Sequence, residues 1–154
     1  MDMIQHGGDP QVGNLATPIN SSELVKKYIN NLPAYREGLE VRKRGLEIGM
    51  AHGYFIYGPF ALLGPFRDTN IGSVVGVVAA AGLIVVLFIA LYSYGVATNQ
   101  KPLANFTTPN PPVEFSRQEG WSEFAKGFLI GGCGGALVAF VIYQILLFIS
   151  SLFF

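Results

Sequence analysis

The chain has 154 residues; 51% are hydrophobic and only 13% carry a formal charge, about half the charged share of an ordinary soluble domain. Ten basic and ten acidic residues cancel, so the basic excess of a nucleic-acid binder is missing. One cysteine, Cys133, excludes a disulfide framework and a cysteine metal cluster, and its apolar setting marks it as a small packing residue.

Residues 1–44 read as an ordered amino-terminal extramembrane region. The first thirty residues hold no long apolar stretch, so no cleaved secretory signal is expected. His6 sits in this polar stretch and is not expected to be a ligand. Asn20 with Glu23 three residues later fits a helix-start capping arrangement. Leu24, Val25, Tyr28, Ile29 and Leu32 then share one face, and Pro33 closes the helix. The spacing predicts a short amphipathic helix lying on the membrane surface or on a partner.

A spanning helix needs about 20 mainly apolar residues. The first candidate, 45–65, is marginal: it contains Glu47, His52, Pro59 and Pro65. Pro59 is expected to kink or shorten it, which neighbouring helices tolerate. Residues 66–70 form a short loop. The second span, 71–97, lies in a stretch without charge between Asp68 and Lys101. Residues 98–121 form a loop with Pro102, Pro109, Pro111 and Pro112, whose segment TTPNPPVEF is expected to be an extended, stiff connector. The third span, 122–152, carries no charge after Lys126. The fold class is therefore an all-α membrane protein, with three transmembrane helices and an ordered amino-terminal region. Nine of the ten basic residues precede the first span or lie between the second and third, and only Arg67 lies between the first and second. The amino terminus and the proline-rich loop are expected on the cytoplasmic-like side, with the carboxyl terminus opposite.

Ionisable groups at membrane depth are functional candidates. Glu47 and His52 are the two near or within a span. Five residues of helix turn one side chain by roughly 140° from the other and advance it about 7.5 Å, so the pair does not share one ion. Each could hold the Mg of a separate chlorophyll, which needs a single axial ligand. The residue types alone leave other roles open: an interhelical hydrogen bond for His52, and an ion pair with Arg44 for Glu47. Asp68 in GPFRD could ligate a hard cation or simply pair with Arg67. Small residues recur every fourth position in all three spans: Gly45, Gly49 and Gly53; Gly72, Gly76 and Ala80; Gly127, Gly131, Gly135 and Ala139. Such stripes pack helices against each other, partner chains or flat pigments. No Walker loop, nucleophile elbow or metalloprotease histidine pair is present. A transporter would carry ionisable groups on several helices. A bis-histidine haem subunit would need a second membrane histidine.

The run NLPAYREGLEVRKRGLEIGMAHGYFIYGPFALLGPFRD, from Asn31 to Asp68, closely resembles the photosystem I reaction-centre subunit XI (L subunit) family. GDPQVGNLATPI upstream and EGWSEFAKGFLIGG downstream are similar to further motifs of that family. The resemblance implies a non-catalytic, multi-pass subunit of the thylakoid membrane, with a stromal amino terminus and a lumenal carboxyl terminus. It implies binding of chlorophyll a and β-carotene and a role in oligomerisation of photosystem I. The implied neighbours are the core A and B subunits, the small membrane subunits I and M, lipids and other copies of the chain. The family's axial ligands fall on Glu47 and His52. Its calcium between monomers falls on Asp68 and the carbonyls of Pro65 and Phe66; Phe66 stands where Leu is usual, to which a backbone ligand is indifferent. TTPNPPVEF is similar to members that form tetramers or dimers of dimers, and little tail follows the last helix. Both features point from a trimer toward a tetramer.

Overall fold

The computed structural model describes residues 15–98 and 100–153. His6 and the first part of the GDPQVGNLATPI motif lie outside the described residues. The regular elements are α1 (Glu23–Asn31), α2 (Val41–Leu62), α3 (Gly72–Ala97), a 3-10 turn at Val113–Ser116, and α4 (Gln118–Phe153).

Ser22, rather than Asn20, caps α1. Its side chain accepts the Val25 amide at 3.3 Å. Asn20 instead builds the preceding turn: Oδ1 accepts the Thr17 amide at 2.7 Å and Nδ2 donates to the Leu15 carbonyl at 2.7 Å. A serine immediately before the helix is better placed to reach the third amide than an asparagine two residues further back. α1 buries none of its residues within the chain, and Leu24 and Tyr28 are largely exposed. Polar bonds hold its other side. Asn30 Nδ2 donates to the Thr107 carbonyl at 2.7 Å, and Thr107 Oγ1 donates to the Asn20 carbonyl at 2.9 Å. The proline-rich loop is thus stitched to the amino-terminal region. The loop departs from the expected extended connector in two places: it folds back where the Asn105 amide donates to the Thr108 carbonyl at 3.2 Å, and Val113, Glu114 and Phe115 enter the 3-10 turn, with Pro112 as its cap at φ −60°, which the proline ring already favours.

Gly38, at φ 71°, bends the chain into α2. α2 starts at Val41, runs through Pro59 and stops at Leu62, short of the expected 65. The bond missing at Pro59 is the one to the Phe55 carbonyl upstream, and the helix runs on past it; Pro65, two residues beyond the cap Leu63, is the proline that lacks an amide to extend the ladder. α3 and α4 are each long and apolar enough to cross a membrane. α4 has 36 residues, about 54 Å at 1.5 Å per residue, well beyond the ~30 Å hydrocarbon core. It begins at Gln118, ahead of the expected 122, and residues 144–153 are exposed all round.

The small-residue stripes pack the chain against itself. A Cβ on Gly45, Gly49 or Gly53 would fall on the backbone carbonyl of Phe124, Phe128 or Gly132 of α4. A Cβ on Gly127, Gly131 or Gly135 would in turn fall on the carbonyl of Arg42, Leu46 or Met50 of α2. Six glycines therefore interlock two backbones. α3 joins through Gly76, whose added Cβ would sit 2.7 Å from Ala61 Cβ, and through Ile84, which is wholly buried against Gly132. The core cluster is correspondingly small-sided: Tyr57, Ala61, Ala80, Ala136 and Ala139. This close approach of backbones, rather than bulky side-chain interdigitation, fixes the faces that α2 leaves for other uses.

Candidate functional site

Two polar side chains on α2 lie outside the glycine interlock. The first is Glu47. It pairs not with Arg44 but with Arg36, in a fork: Nη1 donates to Oε1 at 3.3 Å and Nη2 to Oε2 at 3.2 Å. Arg36 is carried there by the turn after α1. The amides of Tyr35 and Arg36 both bond the Leu32 carbonyl, at 2.9 and 2.8 Å, and Arg36 Nε donates to the Asn31 carbonyl at 3.0 Å. Arg44 lies on the buried side of α2 beside Gly45, 4% exposed, with Nη1 on the Pro33 carbonyl at 2.9 Å. Its burial lowers its pKa, an effect that Glu114 opposes and Arg36 reinforces. An i,i+3 pair was available by spacing, but Arg44 is turned to a different face from Glu47.

The second position is His52. Among the described residues it makes no interhelical hydrogen bond. Nδ1 lies 2.8 Å from the Ile48 carbonyl one turn earlier. A carbonyl can only accept, so Nδ1 carries the proton and a neutral ring keeps its lone pair on Nε2. The ring is exposed and meets Phe128 edge-on at 5.3 Å between centroids. It faces a cleft of about 490 Å³ between the three long helices, walled by Ile48, Leu87, Leu91, Tyr94, Phe124 and Phe128. That is the size range of small-molecule sites. His52 supplies the one nitrogen side-chain ligand in this lining; the other polar side-chain group is the Tyr94 hydroxyl.

Sequence reasoning missed an aromatic cluster beside this cleft, built on its lining residues Tyr94 and Phe124. Trp121 stacks near Tyr94 and Phe115, each at 4.8 Å between centroids, and donates Nε1–H to the Phe115 carbonyl at 2.8 Å. Gly95 admits it: a Cβ there would collide with Trp121 Cβ. A tryptophan in the first turns of a membrane helix is an interfacial signal that could have been used. Arg36 carried no signal, because its partner is brought near only by the turn.

Asp68 stands apart, 81% exposed, with Oδ2 at 3.4 Å from Arg67 Nη2. The Phe66 carbonyl is already taken by Thr69, whose amide donates at 3.0 Å and hydroxyl at 2.6 Å. Among the described residues no three His, Cys, Asp or Glu side chains gather as a metal site.

Comparison with known proteins agrees with this architecture. The family model for photosystem I reaction centre subunit XI matches residues 2–147. The subunit XI of a Picosynechococcus species is 64% identical over 140 residues, covering 91% of this chain and 92% of that one. Those of Crocosphaera subtropica and Mastigocladus laminosus are 53% identical over 148 residues and 54% over 145. They cover 96% and 94% of this chain, and 95% and 84% of their own. The chain belongs to the photosystem I reaction centre subunit XI family, and is a structural, non-enzymatic subunit of the photosystem I complex in the thylakoid membrane.

Proposed function

We propose that this subunit holds chlorophyll a on His52 and on Glu47, takes carotenoid along its apolar flanks, and joins copies of photosystem I into a higher oligomer. The observation that carries the pigment reading is the placement of His52 beside an apolar cleft, with Nδ1 2.8 Å from the Ile48 carbonyl; the tautomer that donates this bond has its lone pair on Nε2. A chlorophyll Mg takes one such axial ligand. When bound, the pigment absorbs light and passes the excitation on by dipole coupling. The chain supplies distance, orientation and surroundings. His52 fixes the metal end, and Phe124, Phe128 and Leu87 line the cleft with apolar surface. Glu47 addresses a different side of α2, in keeping with a separate pigment.

In this reading α2 crosses the membrane with α3 and α4, and the amino-terminal region and the loop 98–121 share the stromal side. The hydrogen bonds from Asn30 to Thr107 and from Thr107 to Asn20 support a common side. The exposed apolar end of α4 is available to neighbours: core subunits A and B, small subunits I and M, lipids or further copies. A Ca²⁺ between copies would take Asp68 and the Pro65 carbonyl, and the Phe66 carbonyl only once Thr69 releases it, with the remaining oxygens from another copy, because one chain offers a single carboxylate already paired with Arg67.

The test is His52→Leu in the assembled complex. Pigment extraction and absorption should give one chlorophyll fewer per copy of the subunit, with insertion intact; an unchanged count rejects the ligand. Deletion of the subunit should remove the higher-oligomer band on a native gel, and persistence of that band rejects the assembly role.

A further inference from the structure

The structure assigns Arg36 as the positioning residue of the Glu47 site: we infer that the Arg36–Glu47 pair, not the lone carboxylate, is the unit that presents an oxygen to a chlorophyll Mg. The inference rests on the reading that Glu47 carries a pigment. It adds which residue makes that possible.

Three observations meet at this point. The guanidinium is held on two sides at once. Nε is fixed to the Asn31 carbonyl at 3.0 Å, and both terminal nitrogens reach one carboxylate, at 3.3 and 3.2 Å. Arg36 therefore links the end of α1 to α2 in one geometry. A second arginine fixes the same turn independently, Arg44 on the Pro33 carbonyl at 2.9 Å. The turn that carries Arg36 is thus set by more than the ion pair. Finally, the fork leaves ligand capacity in place. An ionised carboxylate has two oxygens and about four lone-pair sites. Arg36 takes one on each oxygen, and each oxygen keeps another.

The chemistry needs such a partner. A carboxylate at the edge of a bilayer is drawn to water and swings through several rotamers. It also brings a full negative charge against an apolar ring. The planar guanidinium cancels that charge and locks both oxygens in one plane, which a lysine ammonium cannot do from a single point. Coordination moves no proton and changes no oxidation state: one oxygen lone pair is donated to Mg, while the two hydrogen bonds to Arg36 remain. His52 does the same job differently, with the Ile48 carbonyl orienting its ring. Each ligand on α2 thus has its own orienting partner, as metal ligands generally do.

The experiment is Arg36→Gln in the assembled photosystem I, with Arg36→Lys beside it and native and Glu47→Leu complexes as references. Cryo-EM density over Glu47 and over His52 is compared, together with low-temperature absorption difference spectra. Loss of an orienting partner costs metal sites roughly tenfold or more in affinity. Arg36→Gln should therefore lose the density over Glu47 and the band that Glu47→Leu loses, while the His52 pigment is unchanged. Arg36→Lys should keep density but shift that band. If Arg36→Gln retains full density with an unmoved band, the inference is overturned while the Glu47 reading stands. If the native map has no pigment on Glu47, the underlying reading itself fails, whatever Arg36 does. Should the Gln variant not assemble, an unshifted band in the Lys variant overturns the inference.

Discussion

Two glycines on α4, close together in the chain, should respond oppositely to the same added methyl. A Cβ on Gly131 would fall on the Leu46 carbonyl oxygen, with Leu46 Cα at 2.9 Å; a Cβ on Gly134 would meet nothing within 4 Å. Ordinary contact begins near 3.4 Å, so Gly131→Ala must push α2 and α4 apart by several tenths of an ångström at least. Overpacking of this kind costs about 1–3 kcal/mol. Gly134→Ala meets no such resistance and gains up to about 1 kcal/mol of helix propensity. The two variants should therefore differ by roughly 2–4 kcal/mol, or on the order of 4–16 °C in apparent Tm for a chain of this size. The assay is thermal unfolding of the purified subunit in detergent, followed through Trp121, the single tryptophan, which reports contact between α4 and α3. Melting of both variants at the same temperature would refute the backbone interlock.

Three further outcomes follow from the geometry. Asn30→Ala with Thr107→Val removes two bonds between the amino-terminal region and the proline-rich loop, each worth about 1 kcal/mol; hydrogen exchange should quicken in residues 100–112 and stay unchanged in α3. Gly95→Leu should expel Trp121 from its seat, shifting its fluorescence to the red, whereas Gly82→Leu, with open space around it, should leave the emission in place. The isolated subunit should show no saturable Ca²⁺ binding at micromolar concentration, because Asp68 is its loop's lone carboxylate and the Phe66 carbonyl is engaged by Thr69.

Local rules recovered what local physics decides. The four-residue spacing of small residues marked the faces that pack, although it left open what they pack against; the partner of each stripe lies on another helix. The apolar runs marked α3 and α4 directly. α2 was harder to read, because Glu47, His52 and Pro59 lower its apolar content, and two of those are the candidate ligands. Pairings across turns were not legible. Arg44 is three residues from Glu47, yet it lies on the buried side of α2, and Arg36 reaches Glu47 through a turn that spacing does not encode. The cap shifted from Asn20 to Ser22 for a similar reason: several capping residues stand in a row, and the turn before the helix chooses among them. The stitching of Asn30 to Thr107 joins segments far apart in the chain, with polar groups that carry no periodicity.

The central claim is that His52 presents Nε2 to a chlorophyll in the cleft walled by Leu87, Tyr94, Phe124 and Phe128. The most direct measurement is a pair of cryo-EM maps of intact photosystem I, native and His52→Leu, refined to show side chains and pigment rings. The account predicts a chlorophyll whose Mg lies over Nε2 in the native map, absent in the variant, with α2 and α4 in unchanged register. A native map with lipid or protein filling that cleft, or a variant that keeps the ring in place, would contradict it.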